Sequence, residues 1–216
     1  MKTTSSELLD KIIFFYEHYS NEHRNCTQPY RLQSIKGFIK DYKYNCRDLI
    51  VRETLLEHIG ALPVLATTIY PYLENKNIDL GRALTMLAIH DIGELVTGDE
   101  FTFTKKIDSL GEEQKQALKL LPESLHEIYL EMEQRTSDTA RFAKAVDKLI
   151  PDIIDLMCTP EETVSRWKDL LDKKPQEIAP LLKEFKHPYM IWNEVFVNLH
   201  LETLDRLHKK LEPFFC

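Results

Sequence analysis

The chain has 216 residues, of which 43% are hydrophobic and 29% are charged, and its formal net charge is −7. This composition is typical of one soluble globular domain and excludes collagen-like, low-complexity and membrane-embedded chains. Only six residues are glycine, which disfavours an all-β fold or a glycine-rich phosphate loop, and the negative charge disfavours duplex nucleic acid as a partner.

Apolar residues recur at three- and four-residue spacing along nearly the whole chain, which predicts an all-α fold of about eight helices. The first six predicted helices cover residues 6–20, 32–42, 53–74, 79–95, 112–136 with a break at Pro122, and 138–157 with a cap at Ser137. Two more follow Pro160 and Pro175, and a long one follows Pro188 and ends near Leu211. Residues 96–110 are predicted to be a loop. We expect one domain, with its motifs in residues 43–157 and the C-terminal helices of residues 160–212 packed on the outside.

Ionisable residues occupy several positions where the helical pattern requires apolar side chains. His58, His90 and Asp147 each continue an apolar stripe, and each lies on a different helix. Asp91 lies one step round the helix from His90, and Glu94 lies one turn beyond it. An unpaired buried charge costs several kcal/mol, so we expect these groups to meet or to bind a cation together.

A single histidine on an apolar face is more often a core residue than a ligand. The combination favours a ligand role, because imidazoles and carboxylates from three helices suit a divalent transition metal. The spacing therefore predicts a metal site at His58, His90, Asp91 and Asp147. Glu94 is placed either to accept a proton from a water at this site or only to orient His90.

Three segments carry a resemblance to a known family: RETLLEH at 52–58, AIHDIGELVTGD at 88–99 and ARFAKAVDKL at 140–149. Over about residues 43–156 the chain resembles the HD-domain metal-dependent phosphohydrolases, signature H…HD…D, and especially their 5′-deoxynucleotidase subgroup. The resemblance implies the same four metal ligands, listed as His58, His90, Asp91 and Asp147. It also implies Glu94 and Asp99 as the carboxylates that orient the attacking water and handle the leaving-group proton.

Substrate contacts are expected upstream of the first ligand, where the subgroup often has Arg-Trp and this chain has Lys43 and Tyr44. An acidic protein must hold a phosphate through its metal and one or two short-range donors. Lys43 is our first candidate for that donor, with Arg47 and Lys105 as alternatives, and Tyr44 is the candidate aromatic contact.

These residues predict an enzyme that hydrolyses a small phosphomonoester, with a (deoxy)nucleoside 5′-monophosphate as the favoured substrate. One divalent ion is expected as cofactor, and Mn, Co, Fe, Ni, Zn and Mg all remain open. The alternatives are phosphohydrolase action on another nucleotide or small phosphate, and a catalytically silent nucleotide-binding module. Di-iron oxygenase and two-metal phosphodiesterase chemistry are disfavoured, because only His126 lies between Asp91 and Asp147. We expect no nucleic acid polymer and no membrane as partner, and a homodimer is left open.

Other clusters of histidine are interpreted as structural. The cluster of His18, His23 and Cys26 is predicted to be a solvated loop, because no second half exists to complete a tetrahedral site. Glu123 and His126 form one ExxH motif, whereas a ferritin-like di-iron site requires two. The polar residues of the last helix are predicted to form its solvated face, namely His200, Asp205 and His208.

The cellular compartment is inferred from the cysteines and the N-terminus. The four cysteines lie far apart and form no CxxC pair, so we expect reduced thiols. Charged residues interrupt the N-terminal apolar run, and no other uncharged stretch approaches the roughly 18 residues of a membrane span. The cytoplasm is therefore expected.

Overall fold

The fold is described from a computed structural model of the chain. The structure describes residues 4–10, 12–13, 55–74, 77–97, 103 and 107–215. Within these ranges the secondary structure consists of helices and turns without a strand. The all-α prediction is therefore confirmed.

Nine α-helices follow one another from residue 55 onward in the described part of the chain. They are α1 (Leu55–Ile69), α2 (Leu80–Ile89), α3 (Glu94–Thr97), α4 (Ile107–Leu120), α5 (Glu123–Gln134), α6 (Asp138–Met157), α7 (Pro160–Leu171), α8 (Pro175–Met190) and α9 (Glu194–Leu211). Short 3₁₀ turns follow α1 and α9, at Tyr70–Tyr72 and Glu212–Phe214. Residues 5–10 and 12–13 are also helical.

Several helix ends match the local signals in the sequence. The Ser137 side chain accepts a hydrogen bond from the Ala140 backbone N–H and caps α6, as predicted. Prolines begin α7 and α8, where a missing N–H costs nothing, and Pro122 separates α4 from α5. Each of these boundaries is determined by a residue at the boundary itself, so the sequence alone predicts it.

The fourth predicted helix ends earlier than expected, at Ile89 instead of residue 95. Residues 90–93 form a turn in which the N–H groups of Ile92 and Glu94 bond to carbonyls three residues earlier, at 3.2 and 3.0 Å. A Cβ on Gly93 would lie 2.4 Å from the carbonyl oxygen of Glu113, so only glycine allows α4 to approach this turn. The predicted loop at 96–110 is also shorter, because residues 96–97 belong to α3 and α4 begins at Ile107.

The last predicted helix also begins elsewhere. Pro188 lies inside α8, which continues to Met190, and α9 begins at Glu194. The effective start signal is Asn193, whose side chain accepts a hydrogen bond from the Val195 N–H at 2.9 Å. Similarly, α1 ends at Ile69, before the 3₁₀ turn, rather than near residue 74.

Helix α6 is the centre of the core and packs against α1, α2, α5, α8 and α9. Its fully buried apolar side chains include Phe142, Val146 and Ile150. From α9, Phe196 and Leu199 enter the same core, so this helix is not an outside addition as we expected. A smaller apolar cluster joins α7, α8 and α9. The carboxylate of Asp147 is therefore carried by the most enclosed helix of the described fold.

Two further expectations concern the membrane and the cysteines. Within the described ranges, every helix is too short or too polar to cross a membrane. Cys158 lies at the C-terminal end of α6. The three other cysteines lie outside the described residues.

Candidate metal centre

Three segments bring imidazole and carboxylate groups to one point. His58 comes from α1, His90 and Asp91 from the turn that ends α2, and Asp147 from the middle of α6. The Nε2 atom of His90 lies 3.0 Å from Oδ2 of Asp91 and 3.3 Å from Oδ1 of Asp147. The turn after α2 thus faces the central helix directly.

His58 completes the group from the other side. Its Nε2 atom lies 3.6 Å from Oδ2 of Asp91 and 3.6 Å from Oδ1 of Asp147. Donor atoms of His58, His90 and Asp147 all lie within 4.8 Å of one another, a spacing that could hold a metal ion. The four residues that the sequence predicted as ligands are therefore brought together by the fold.

The cluster, called here the metal centre, is enclosed on one side. The side chains of His90 and Asp147 are 1% and 8% exposed, while those of His58 and Asp91 are 15% and 19% exposed. Solvent and a small ligand would therefore reach the centre past His58 and Asp91.

A backbone contact fixes the orientation of the His90 ring. Its Nδ1 atom donates to the Leu87 carbonyl oxygen at 3.0 Å, so in the neutral ring the lone pair is on Nε2. That Nε2 atom is buried and has no hydrogen-bond partner within the described residues, although two carboxylate oxygens are near. Facing acceptors repel one another, so the arrangement fits a cation between them.

The ionisation of the groups shows that this point attracts positive charge, which is either a proton on His90 or a metal ion in its place. Burial lowers the pKa of His90, but the charges of Asp147 and Asp91 outweigh it and raise this pKa to about 9. Burial raises the pKa of Asp147, yet the nearby Lys148 and the two histidines hold it well below the usual value. The carboxylate therefore stays ionised, which is the form that binds a cation.

The second oxygen of Asp147 faces away from the histidines, toward lysines. Lys148 Nζ lies 3.0 Å from Oδ2, and Lys144 Nζ lies 3.9 Å from it. Lys144 is itself paired with Glu133 of α5 at 2.9 Å. These contacts hold the carboxylate so that Oδ1 points at the imidazoles.

Glu94 is positioned near the metal centre by a different element from the one predicted. The turn at 90–93 interrupts the helix, so Glu94 begins α3 instead of standing one helical turn beyond His90. Carboxylate oxygens of Glu94, Asp91 and Glu113 lie within 4.8 Å of one another. Glu113 was not predicted, because it approaches only through its contact with Gly93.

The family of the chain is established by its sequence. A model of the HD domain family matches residues 43–171, which is more than half of the chain. The chain belongs to the HD-domain family. A comparison with curated proteins found no significant match.

A solved structure has a similar fold to this HD domain. It is described as a predicted metal-dependent phosphohydrolase from Magnetospirillum magnetotacticum MS-1, with 24% sequence identity and a TM-score of 0.52. The match covers 82% of this chain and 97% of that one. At this identity the likeness supports the fold.

The remaining residues predicted for the HD-domain site lie outside the described residues. They are Asp99, Lys43, Tyr44, Arg47 and Lys105. The cluster of His18, His23 and Cys26 also lies outside them. His126 is described, and its Nε2 atom contacts the Leu121 carbonyl oxygen at 3.0 Å. Its role in the HD domain is therefore to join α5 to the end of α4.

The prediction for His200 is wrong. Asp205 and His208 of α9 are exposed as expected, but His200 is completely buried, because it lies one helical turn after the core residue Phe196. Its Nδ1 atom lies 3.8 Å from Oδ2 of Asp152. Burial lowers the pKa of His200 to about 4, and nearby cations add to the effect.

Proposed function

We propose that this HD-domain protein is a metal-dependent phosphohydrolase that holds one divalent ion at His58, His90, Asp91 and Asp147. The observation that carries the proposal is the buried Nε2 atom of His90, fixed by Leu87 and facing carboxylate oxygens at 3.0 and 3.3 Å. Two imidazoles and two carboxylates suit Mn, Fe, Co, Ni or Zn, and Mg is disfavoured by the imidazoles. Family membership supports the same chemistry.

Hydrolysis of a phosphomonoester joins a water oxygen to phosphorus and breaks the bond from phosphorus to the leaving oxygen. The products are an alcohol and inorganic phosphate. With a divalent ion bound at His58, His90, Asp91 and Asp147, the site would supply Lewis acidity to the phosphoryl group and would lower the pKa of the attacking water. We assign the acceptance of a proton from that water to Glu94, whose carboxylate lies near that of Asp91. We assign the delivery of a proton to the leaving oxygen to Asp99.

For the substrate we propose a small phosphomonoester, favouring a (deoxy)nucleoside 5′-monophosphate. The support is the likeness of residues 43–156 to the 5′-deoxynucleotidase subgroup. Lys43 and Tyr44 are proposed as phosphate and sugar contacts, with Arg47 and Lys105 as alternatives for the phosphate. Lys43→Ala should raise KM more than it lowers kcat and leave metal content intact, since it removes binding common to ground and transition states.

The test is a metal-supplemented activity screen on the full chain. The protein is treated with a chelator and reloaded separately with each of six ions, Mn, Co, Fe, Ni, Zn and Mg. Phosphate release is then measured from nucleoside monophosphates, polyphosphorylated nucleotides, sugar phosphates and a single-stranded oligonucleotide. Ring opening of cyclic nucleotides, which frees no phosphate, is followed by chromatography. We expect metal-dependent release that is greatest from a 5′-monophosphate and smallest from the oligonucleotide.

Two variants test whether phosphate release depends on metal bound at the metal centre rather than at another place on the protein. His90→Ala should abolish release, whereas His208→Ala, at an exposed position of α9, should leave it unchanged. A metal-loaded protein that binds nucleotides but releases phosphate from none of the compounds would contradict the proposal. It would favour the silent nucleotide-binding module instead.

A further inference from the structure

A second pocket lies where the end of α5, the first turns of α6 and the end of α8 meet. Its volume is about 240 Å³. Its lining includes three cations and three apolar or aromatic residues, namely Arg135, Arg141, Lys144, Pro188, Tyr189 and Trp192. This basic pocket adjoins the metal centre, because Lys144 Nζ lies 3.9 Å from Oδ2 of Asp147.

The two arginines of the basic pocket are available to a ligand. Within the described residues Arg135 forms no ion pair, and its guanidinium lies over the Tyr189 ring, 4.9 Å from the centroid. Arg141 contacts Asp138 at 2.8 Å, but these side chains are 46% and 33% exposed. Such a surface pair contributes at most about 1 kcal/mol, so an incoming anion can compete with Asp138.

The charge balance of the basic pocket favours an anion. Glu133 neutralises Lys144 and Asp138 neutralises Arg141, which leaves the charge of Arg135 uncompensated among the described residues. This local excess occurs in a chain whose net charge is −7. The basic pocket therefore carries a local positive charge in a protein whose overall charge is negative.

The backbone at Arg135 forms the C-terminal cap of α5, in which its N–H bonds to the Met132 carbonyl oxygen. Arg135 has φ 54°, the left-handed conformation, and ends α5. A residue with a Cβ is disfavoured there by about 1–2 kcal/mol, and glycine or asparagine is the usual occupant.

We propose that the basic pocket binds a small organic anion in which a phosphate or carboxylate group is attached to a flat ring. The planar guanidinium groups of Arg135 and Arg141 match the oxygens of such an anion. Trp192 offers aromatic surface for the ring, while the Tyr189 ring contacts the Arg135 guanidinium. The volume is below the usual range of about 300–1,000 Å³ for drug-sized ligands, so the ligand is compact.

The test uses phenylphosphonate as the probe, because its phosphorus–carbon bond is not an ester and a phosphohydrolase cannot cleave it. Calorimetry on the metal-loaded full chain compares it with inorganic phosphate, which lacks the ring, and with benzyl alcohol, which lacks the charge. We expect phenylphosphonate to bind about tenfold tighter than either. Benzoate, in a parallel titration, distinguishes a carboxylate ligand from a phosphate ligand.

Variants locate the bound probe. Arg135→Gln and Arg141→Gln should each weaken binding about tenfold or more with metal content unchanged, and Lys209→Gln, an exposed cation of α9, should have no effect. Tryptophan emission should respond to the probe in the parent and not in Trp192→Phe. After a chelator removes the metal, binding should persist.

Two results would overturn the proposal. One is the absence of heat from phenylphosphonate and benzoate at millimolar concentrations. The other is binding that survives both arginine changes and disappears with the metal, which places the probe at the metal centre. Neither measurement uses phosphate release, so the outcome is independent of the proposed function.

Discussion

Helix α6 carries two buried aspartates in contrasting surroundings. Asp147 is buried and faces two imidazoles, with His90 Nε2 at 3.3 Å. Asp152, which is completely buried, forms an ion pair with Lys186 of α8 and has the His200 ring at 3.8 Å. We call Asp152, Lys186 and His200 the internal charge cluster.

The pKa values of His90 and His200 are shifted in opposite directions. Burial lowers the pKa of both, but at His90 the charges of Asp147 and Asp91 prevail and raise it to about 9. At His200 burial and the cation Lys186 act together and lower the pKa to about 4. In the internal charge cluster a lysine of the chain lies against the buried carboxylate. At the metal centre Lys148 contacts the outer oxygen Oδ2 of Asp147, while Oδ1 of Asp147 and Oδ2 of Asp91 face the imidazoles. Of these two clusters, the metal centre is therefore the one whose carboxylate oxygens are arranged for a cation from outside the chain.

The largest expected effect separates the two aspartates. Asp147→Asn should lose the bound metal, and phosphate release should fall roughly a thousandfold or more, because the ion contributes several kcal/mol to the transition state. Asp152→Asn should keep its metal and lose only stability. Elemental analysis and phosphate release on both purified variants decide this.

The other proposed ligands extend that test. His58→Ala, His90→Ala and Asp91→Ala should each lose metal and activity together. Their stability should also fall, since metal binding and folding are linked. Full metal occupancy in Asp147→Asn would show that Asp147 is not a metal ligand. The proposed difference in role between Asp147 and Asp152 would then be wrong.

The next effect distinguishes a proton acceptor from a ligand within the metal centre. Glu94→Gln should retain metal, because Glu94 is not in the proposed ligand set, while kcat falls by about 10²–10⁴. Glu123→Gln, at an exposed position of α5, is the matched control. Near-normal turnover in Glu94→Gln, measured at saturating substrate, would leave Glu94 with only an orienting role.

A third prediction concerns the internal charge cluster alone. Lys186→Met takes the ammonium away from the buried carboxylate of Asp152, so the free energy of unfolding should fall by about 3–5 kcal/mol. The double variant Asp152→Leu/Lys186→Met should recover much of that loss, because it removes both charges. Urea unfolding measures the stability, and metal content should remain that of the parent. A large loss of metal in Lys186→Met would show that the two clusters are coupled.

The contrast also shows which features a sequence can reveal. The bounds of α6 and the position of Asp147 in its apolar stripe follow from neighbouring residues, and both were predicted correctly. The burial of His200 was missed although the apolar Phe196 lies one turn before it, because the charged groups that surround the buried imidazole come from two other helices, α6 and α8. The turn after Ile89 was missed for a similar reason: Gly93 is required by Glu113, a residue of α4 twenty positions away. Local signals define elements and stripes, whereas contacts between distant helices define turns and the ionisation of buried groups.

The smallest effect is a dependence of stability on pH. Because the pKa of His200 is about 4 in the fold and near its ordinary 6.5 in the unfolded chain, acidification protonates the unfolded chain first. Stability should therefore be complete above about pH 6.5 and decline as the pH falls toward 4, by up to about 3 kcal/mol. The groups that face His200 are Asp152, Lys186, His187 and Lys183.

Urea unfolding of the parent and of His200→Gln at about pH 7, 6 and 5 isolates this contribution, since the metal centre is common to both proteins. The decline should be weaker in His200→Gln, and His208→Gln, at an exposed position of α9, should keep the parent slope. If the parent instead gained stability relative to His200→Gln on acidification, Asp152 would be stabilising a charged imidazole, as Asp147 does at His90. The pKa of the buried histidine would then be raised in both clusters, and Lys186 would not be the residue that makes the clusters differ.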